Sequence, residues 1–491
     1  MNTNHLINFL VKATMLLMIP FCQLPAQEPQ GTYHRPEDLL VQQKLGQWQD
    51  IKFGLMMTWG AYSITGVVES WSICAEDEPW CFQGDDYIIH KQEYEKLPEN
   101  FNPVKFDPAL WAKAAKDAGM RYIVFTAKHH DGFCMFNTST TDYKITGSKS
   151  PFRNNPKADV TREIFDAFRS EGFMTGAYFS KPDWHSEYFW WPKFSTPDRN
   201  VNYDISKHPD QWHKFVEYTH KQINELATNY GTLDILWLDG GWVRPLTPEE
   251  QIFSQTVDGL FRERGYTQLK IPQDQDIKLD VIIDSIRQKQ PGLIVVDRFV
   301  DGKYQDYFTP EQYVPSAWLP YPWETCMTLG GSWSYSGNDT YKPARQIIHV
   351  LADVVSKGGN LLLNIGPGPD GTWQPDAYHR LSEIGSWMKI NSSAVYNTRG
   401  MKNWSEGKFR FTQGKDGQVY AIYLADEGES TMPDKLIITS IHPSAGSKIH
   451  LLGYTRQLSW SIIGNGLCIN VPEEIRKKPP SPYAWTFVIT K

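Results

Sequence analysis

The sequence lacks an excess of basic residues. Its 491 residues include 49 Lys and Arg against 56 Asp and Glu, which gives a formal net charge of −7. The basic residues are scattered rather than gathered into a run or a stripe. A protein that neutralises nucleic-acid phosphates normally needs such a stripe. We therefore expect no nucleic-acid partner.

Long apolar segments are also missing, since no stretch approaches the roughly 18 consecutive apolar residues of a membrane-spanning helix. One shorter apolar run, Ala13–Phe21, follows Lys12 and precedes a Leu-Pro-Ala segment that ends at Ala26. This order is typical of a secretory signal peptide. We predict a signal peptide over residues 1–26, a mature protein without a membrane span, and a secreted or periplasmic location.

Cysteine is sparse, with 6 residues in the whole chain. Removal of a signal peptide that contains Cys22 leaves an odd, scattered set, and no CxxC or HExxH motif is present. The pattern is neither a disulfide framework nor a zinc motif, so we expect no metal site. Cys74 and Cys81 flank a short acidic loop, where a disulfide in an oxidising compartment and two free thiols fit equally well.

Aromatic residues, by contrast, are abundant: 19 Trp, 24 Tyr and 24 Phe make up 14% of the chain. A ring with a polar edge suits a wet cleft whose ligand has apolar C–H faces and hydroxyl groups, as sugars have. A large Trp-rich core explains the same composition. Composition alone does not separate these two explanations.

Short β-rich apolar segments alternate with helical segments through most of the chain. One helix has complete start and stop residues, with Asp107 as N-cap, Pro108 in the first turn and Gly119 at the end. Repeated βα units with long connections indicate a parallel sheet. A doubly wound fold would usually have a glycine-rich phosphate turn after its first strand. None is present, so we predict an α/β fold, a (β/α)8-like barrel over residues 27–395, without a cofactor. Its buried strands are predicted at Phe53–Thr58, Tyr122–Ala127, Met174–Phe179, Leu233–Leu238, Leu293–Val296 and Leu361–Ile365.

The pattern changes after the helix-like segment Leu381–Ile390. Short alternating apolar segments follow, separated by Gly, Pro, Asp and Ser. This arrangement is typical of antiparallel sheets. We predict a C-terminal antiparallel β-sandwich over residues 396–491. Its clearest strands are Phe409–Phe411, Val419–Tyr423, Lys435–Ile438 and Trp485–Ile489.

Asp239 is the most informative candidate for catalysis. In a barrel of this kind, functional residues lie at the C-terminal ends of the strands. The fourth predicted strand leads into Asp239 and a Gly-Gly turn, between Trp237 and Trp242. Glycoside hydrolysis requires one ionised and one protonated carboxyl group across the glycosidic bond. Asp239 fits the ionised member of such a pair, and it also fits a plain turn or N-cap residue.

His129 and His130 follow the second predicted strand. Neighbouring residues at a strand end point to opposite sides, so both can bind one metal only if the chain turns there. We favour neutral imidazoles that hydrogen-bond sugar hydroxyls. A metal-dependent hydrolase built on His129, His130 and Asp239 is the alternative. From these residues alone, Arg298, directly after Asp297, is better explained as a structural ion pair than as a site residue.

A series of short motifs stands in a fixed order between Phe53 and the C-terminal region. They are Trp59-Gly60, Lys128–Phe133, Trp237–Gly240, Val296–Arg298, Thr309–Gln312, Trp323–Thr328 and Gly358–Pro367. Together they resemble the α-L-fucosidases of glycoside hydrolase family 29. The tail, with Leu452–Tyr454 and Trp460, resembles that family's C-terminal β-sandwich.

The resemblance implies an exo-glycosidase that removes terminal α-L-fucose from a fucosylated oligosaccharide or glycoconjugate by a retaining double displacement. Asp239 matches the nucleophile and Glu311 matches the acid/base. Such a pair is expected about 5–5.5 Å apart, with Asp239 ionised and Glu311 protonated. The residues expected to bind the sugar are His129, His130, Tyr178, Trp237, Arg298, Trp71, Glu69 and Trp59.

Two departures from the family pattern affect the expected specificity. Thr58 stands where many relatives have His, which suggests a related sugar such as α-L-galactose as an alternative substrate. Ser70 separates Glu69 from Trp71, whereas relatives often have Glu and Trp adjacent. Glu324 and Glu69 are alternative candidates for the acid/base. A carbohydrate-binding relative that has lost catalysis is a further alternative.

Overall fold

The computed structural model describes residues 31–490 except 75, 83, 197, 264–271 and 465, so the predicted signal peptide lies outside the described residues. Seven parallel strands form a curled sheet with helices around it, which confirms the predicted α/β barrel class. The strands are β1 Phe53–Met57, β2 Tyr122–Lys128, β3 Met174–Ser180, β4 Ile235–Asp239, β5 Ile294–Asp297, β6 Glu324–Thr328 and β7 Asn360–Asn364.

The strand order is β5-β4-β3-β2-β1-β7-β6, so β5 and β6 are the two edges, and the described residues form seven barrel strands instead of eight. The segment that connects these edges partly fills the gap. Glu311 forms a parallel bridge with Cys326 of β6, where the Gln312 amide donates to the Cys326 carbonyl at 2.9 Å. The gap therefore brings Glu311 to the same end of the barrel as the C-terminal end of β4.

Helices cover the outside of the sheet. The helix predicted after Asp107 is present, and the Asp107 carboxylate accepts a hydrogen bond from the Leu110 amide. Gly119, at the predicted end, has a positive φ of +93°. The α-helices are α1 Leu39–Ile51, α2 Tyr87–Tyr94, α3 Pro108–Asp117, α4 Val160–Ser170, α5 Pro209–Asn229, α6 Pro248–Glu263, α7 Leu279–Lys289, α8 Ala344–Ser356 and α9 Pro375–Asn391.

Strand β6 is the barrel strand that the apolar pattern did not predict. Its sequence, Glu-Thr-Cys-Met-Thr, is mostly polar, yet all of its residues are buried. Polar residues are tolerated there because their side chains find hydrogen-bond partners inside the barrel. Thr325, for example, donates to the carbonyl of Pro310 at 3.2 Å.

The C-terminal region contains two antiparallel sheets, which confirms the predicted β domain. The larger sheet has the order β13-β12-β16-β10-β9-β8 and the smaller one β11-β15-β14, with a separate apolar core. Tyr420 and Ile422 pack into the core of the barrel, and Arg410 pairs with Asp353 of α8. The elements are β8 Thr398–Glu406, β9 Phe409–Gly414, β10 Val419–Leu424, β11 Lys435–Ile438, β12 Lys448–Leu451, β13 Gln457–Leu458, β14 Trp460–Ile463, β15 Gly466–Asn470, α10 Glu473–Lys477 and β16 Ala484–Thr490.

Two further expectations concern membranes and thiols. Among the described residues, no helix combines the length and apolar character that crossing a membrane requires.

Cys74 and Cys81 are buried free thiols. Cys74 donates to the Asp77 carboxylate and Cys81 to the Glu78 carbonyl, each at 3.0 Å. Of the two alternatives for this pair, the structure therefore has the unbridged one.

Candidate active site

A cavity of about 330 Å³ opens at the C-terminal ends of the barrel strands. It brings together both predicted catalytic residues and all but one of the predicted sugar-binding residues. The predicted residues that line it are Asp239, Glu311, His129, His130, Tyr178, Trp237, Arg298, Trp71 and Glu69. The other lining residues are Met56, Thr58, Arg199, Gly241, Trp242, Phe299 and Trp333.

Arg298 joins the two candidate catalytic carboxyl groups. Its Nη1 donates to Asp239 Oδ1 at 3.2 Å and its Nη2 to Glu311 Oε2 at 2.6 Å. Its Nε donates to Thr309 Oγ1 at 3.2 Å, which fixes the plane of the guanidinium. The Arg298 side chain is only 5% exposed. The two carboxyl groups therefore lie on either side of one buried cation.

The electrostatics of Asp239 favour its ionised form. Burial on its own would raise the pKa of this carboxyl group, but Arg298, then His130 and Tyr178, lower the pKa to well below its ordinary value of 3.8. The Tyr178 hydroxyl donates to Asp239 Oδ2 at 2.7 Å, so both carboxylate oxygens have donors. An ionised carboxylate held in this way is suited to nucleophilic attack.

Glu69 is a carboxyl group in the cavity with a raised pKa. Burial, followed by the charges of Glu311 and Asp239, raises the pKa of Glu69 to about 7. Its Oε2 has no hydrogen-bond partner in the described part of the chain. Glu311 differs from it in exposure, because its side chain is 36% exposed. The cavity therefore holds one carboxyl group with a lowered pKa, one with a raised pKa and one at the solvent side.

Both histidines are neutral at neutral pH. Burial, with a contribution from His130, holds the pKa of His129 well below 6.5, and burial lowers the pKa of His130 to about 4. His129 Nδ1 shares a hydrogen bond with the Ser70 hydroxyl. His130 packs edge-on against Trp71 and Trp242, with ring centroids 5.2 Å away in each case. Such imidazoles can donate to or accept from sugar hydroxyls.

The metal alternative has little support in this geometry. Among the residues that the structure describes, no three His, Cys, Asp or Glu side chains are grouped closely enough to hold a metal ion. The Asp239 carboxylate, which that alternative needs, already accepts from Arg298 and Tyr178.

Trp59 does not reach the cavity, which corrects its expected contact with the sugar. Its side chain is completely buried, and its Nε1 donates to the Gly368 carbonyl at 3.0 Å. It packs edge-on against Phe101 and Trp111. Successive side chains at a strand end point to opposite sides, so Thr58 faces the cavity while Trp59 enters the core.

Glu324, the other alternative acid/base, also lies outside the cavity lining. It is completely buried beneath the wall formed by Trp237. Its carboxyl group accepts hydrogen bonds from Tyr122 at 2.7 Å, Trp237 Nε1 at 3.2 Å and Tyr307 at 3.4 Å. Burial raises its pKa to about 7. Glu324 therefore holds the Trp237 indole from outside the cavity lining.

Arg199 is a site residue that sequence reasoning missed. It comes from the long connection between β3 and α5, where no strand end marks its position. Its guanidinium carbon lies 4.9 Å from the ring centre of Trp71 and 5.0 Å from that of Trp242. Its Nε pairs with Asp77 at 3.1 Å. Arg199 thus holds two cavity tryptophans next to each other.

Comparisons with known proteins identify the family of this chain. The family model for α-L-fucosidase matches residues 21–393, and that for the α-L-fucosidase C-terminal domain matches residues 402–490. The chain is similar to the human plasma α-L-fucosidase, with 26% identity over 91% of this chain and 90% of that protein.

Solved structures show the same likeness. The α-L-fucosidase isoenzyme 1 from Paenibacillus thiaminolyticus has a TM-score of 0.71 and 28% identity, covering 92% of this chain and 99% of that one. A Thermotoga maritima α-fucosidase in complex with a mechanism-based inhibitor has a TM-score of 0.69 and 25% identity, covering 93% and 100%. The chain therefore belongs to the α-L-fucosidase family of glycoside hydrolases.

Proposed function

We propose that the protein removes terminal α-L-fucose from fucosylated glycans with retention of configuration. The observation that carries this proposal is the pairing of Asp239 and Glu311 on the Arg298 guanidinium in the wall of a small cavity. Two carboxyl groups of unlike environment next to one bond are what a retaining glycosidase requires. The inhibitor bound to the Thermotoga relative, described as mechanism-based, supports the same class of mechanism.

In the first step, Asp239 attacks the anomeric carbon and forms a glycosyl-enzyme, while Glu311 protonates the leaving oxygen. In the second step, Glu311 removes a proton from water, the water attacks the anomeric carbon, and Asp239 leaves. Arg298 stabilises the ionised Asp239 before attack. Its contact with Glu311 ensures that the two groups act on the same bond.

The remaining lining residues provide the sugar contacts in this proposal. His129, His130 and the protonated Glu69 are hydrogen-bonding groups for ring hydroxyls, and Tyr178 keeps Asp239 oriented. Trp71 and Trp237 supply apolar surface for the C–H face and the methyl group of a deoxy sugar.

The nucleophile assignment is tested with an aryl α-L-fucoside. Asp239→Asn should reduce kcat on the order of 10⁴-fold, in line with the loss of a central group in other covalent enzymes. The anomeric configuration of the first product, followed by NMR, should be α. An Asp239→Asn variant with wild-type turnover, or a β product from the wild type, would contradict the mechanism. Absence of turnover in the wild type on any α-L-fucoside would favour a carbohydrate-binding relative without catalysis.

A second candidate substrate, α-L-galactose, is favoured by Thr58. Thr58 lines the cavity with a side chain smaller than His, and its hydroxyl donates to Asn364 Oδ1 at 2.9 Å. Matched aryl α-L-fucosides and α-L-galactosides discriminate between the two sugars. A higher kcat/KM for the galactoside would replace fucose as the proposed substrate.

We also propose that the protein is exported. The apolar run before Ala26 supports export, and one of the similar proteins is described as a plasma α-L-fucosidase. Mass spectrometry of the mature N-terminus, after expression in an exporting host, should find cleavage next to Ala26. An intact N-terminus on protein that stays in the cytoplasm would contradict this proposal.

A further inference from the structure

Phe299 is an exposed aromatic residue at the rim of the cavity. It follows Arg298 directly after β5, lines the cavity, and is 61% exposed. Its φ is +59°. A positive φ is unfavourable for a bulky residue, and such strained conformations are concentrated at functional sites. The fold therefore keeps a ring in solvent at this point, on a backbone conformation that glycine would adopt more easily.

Phe299 lies on the side of the site where the leaving group is expected. The guanidinium carbon of Arg298 lies 4.5 Å from the ring centre of Trp237 and 4.5 Å from that of Phe299. Trp237 is buried, whereas Phe299 is exposed. The three side chains therefore form a row that extends from Trp237, inside the cavity, through Arg298 to Phe299 at its mouth.

The exposure of the two candidate catalytic carboxyl groups increases in the same direction, from the inside of the cavity to its mouth. The Asp239 side chain is 18% exposed and the Glu311 side chain is 36% exposed, and both bond to Arg298. A general acid must face the leaving oxygen. The bond that breaks therefore points from Asp239 towards the mouth, where Phe299 provides the exposed ring beside Arg298.

Gly241 makes this arrangement sterically possible. A Cβ atom at Gly241 would lie 2.7 Å from the Arg298 carbonyl oxygen and 3.3 Å from the Cβ of Phe299. The first distance is too short for any side chain. Absence of a side chain at Gly241 therefore lets the chain turn at Phe299 and leaves the ring at the rim.

We propose that Phe299 is a specificity-determining residue that stacks on the sugar ring from which the fucose is removed. This inference rests on the proposed fucosidase function and extends it to the leaving-group side. A pyranose ring has an apolar C–H face that fits an exposed aromatic ring. The preferred substrates are then fucosides of a sugar, rather than fucosides of a leaving group without a ring.

The test compares two substrates of one enzyme: α-L-fucosyl fluoride, whose leaving group has no ring, and a panel of fucosylated disaccharides. Phe299→Ala should lower kcat/KM about tenfold for the best disaccharide, in line with the loss of one stacking contact, and change it less than about twofold for the fluoride. Phe299→Trp should restore the disaccharide value. Phe194→Ala is a matched control, because Phe194 is an exposed aromatic residue that does not line the cavity.

Phe299→Gly separates stacking from a structural role. Glycine suits the positive φ, so this variant should have a thermal midpoint at or above that of the wild type and should still lose the preference for disaccharides. Equal losses on both substrates would mean that Phe299 acts only through Arg298, and no loss on either would mean that the ring binds nothing. Both results overturn the inference. Wild-type inactivity on the fluoride and on every disaccharide would instead contradict the proposed function, and the inference would fail with it.

Discussion

Glu324 accepts a hydrogen bond from Nε1 of Trp237 at 3.2 Å from beneath the cavity wall. The tyrosines Tyr122 and Tyr307 donate to the same carboxyl group. The ring that forms one wall of the cavity is therefore held by a carboxyl group outside the cavity lining. The chemistry of this buried group affects both stability and the shape of the site.

Substitutions at Glu324 test its contribution to stability. Glu324→Ala leaves three buried donors without an acceptor and should lower the free energy of unfolding by about 3 kcal/mol or more. Glu324→Gln retains an acceptor and should lose less. Chemical denaturation followed by tryptophan fluorescence measures both. Equal stability of Glu324→Ala and the wild type would contradict the role assigned to this hydrogen-bond network.

The difference in stability between the wild type and Glu324→Gln should depend on pH. The pKa of Glu324 rises from 4.5 to about 7 on burial, so the folded state binds its proton more tightly than the unfolded state. Its contribution to stability is fully present below about 4.5 and is lost as the pH rises towards 7, by on the order of 3 kcal/mol. Glu324→Gln does not titrate, so its deficit relative to the wild type should shrink between pH 5 and pH 8.

Glu311 and Glu69 are distinguished by the dependence of each variant on the leaving group. Glu311→Ala should keep good activity on an aryl fucoside with an activated leaving group, lose about 10²- to 10⁴-fold on natural glycans, and recover with azide. Glu69→Ala should lose activity on both substrates, because its contact with the sugar is the same in each. The reverse pattern would assign the acid/base role to Glu69, whose pKa is about 7 and whose Oε2 has no hydrogen-bond partner among the described residues.

The protonation of Glu69 should also be visible in the pH profile. Below about pH 7 its carboxyl group is protonated and can donate to a sugar hydroxyl. Above that pH it becomes an additional negative charge beside Asp239. We expect kcat/KM of the wild type to fall as the pH rises through about 7, since this parameter reports the groups of the free enzyme. Glu69→Gln should have lower activity and an alkaline limb shifted to higher pH; an unmoved limb would show that another group controls it.

The sequence predicted the residues that lie at strand ends better than those held by long connections. Asp239 was found because an apolar strand leads directly into it, and the family motifs added Glu311 and Arg298. Strand β6 escaped prediction because its buried residues are polar and are satisfied by partners distant in sequence. Arg199 and Phe299 escaped because no local pattern encodes a guanidinium between two tryptophans or a ring on a left-handed backbone. These features depend on tertiary contacts.

Substitutions at Trp59 and Trp71 test the assignment of the first tryptophan to the core and of the second to the cavity. Trp59 is buried, packs against Phe101 and donates to Gly368, whereas Trp71 lines the cavity. Trp59→Phe should lower the free energy of unfolding by about 1–3 kcal/mol, through a lost hydrogen bond and a packing defect, with KM unchanged at temperatures where the variant is folded. Trp71→Phe should raise KM for an aryl fucoside with a smaller loss of stability, because its indole lines the cavity. If Trp59→Phe raised KM as much as Trp71→Phe did while remaining as stable as the wild type, Trp59 would have to contact the sugar after all.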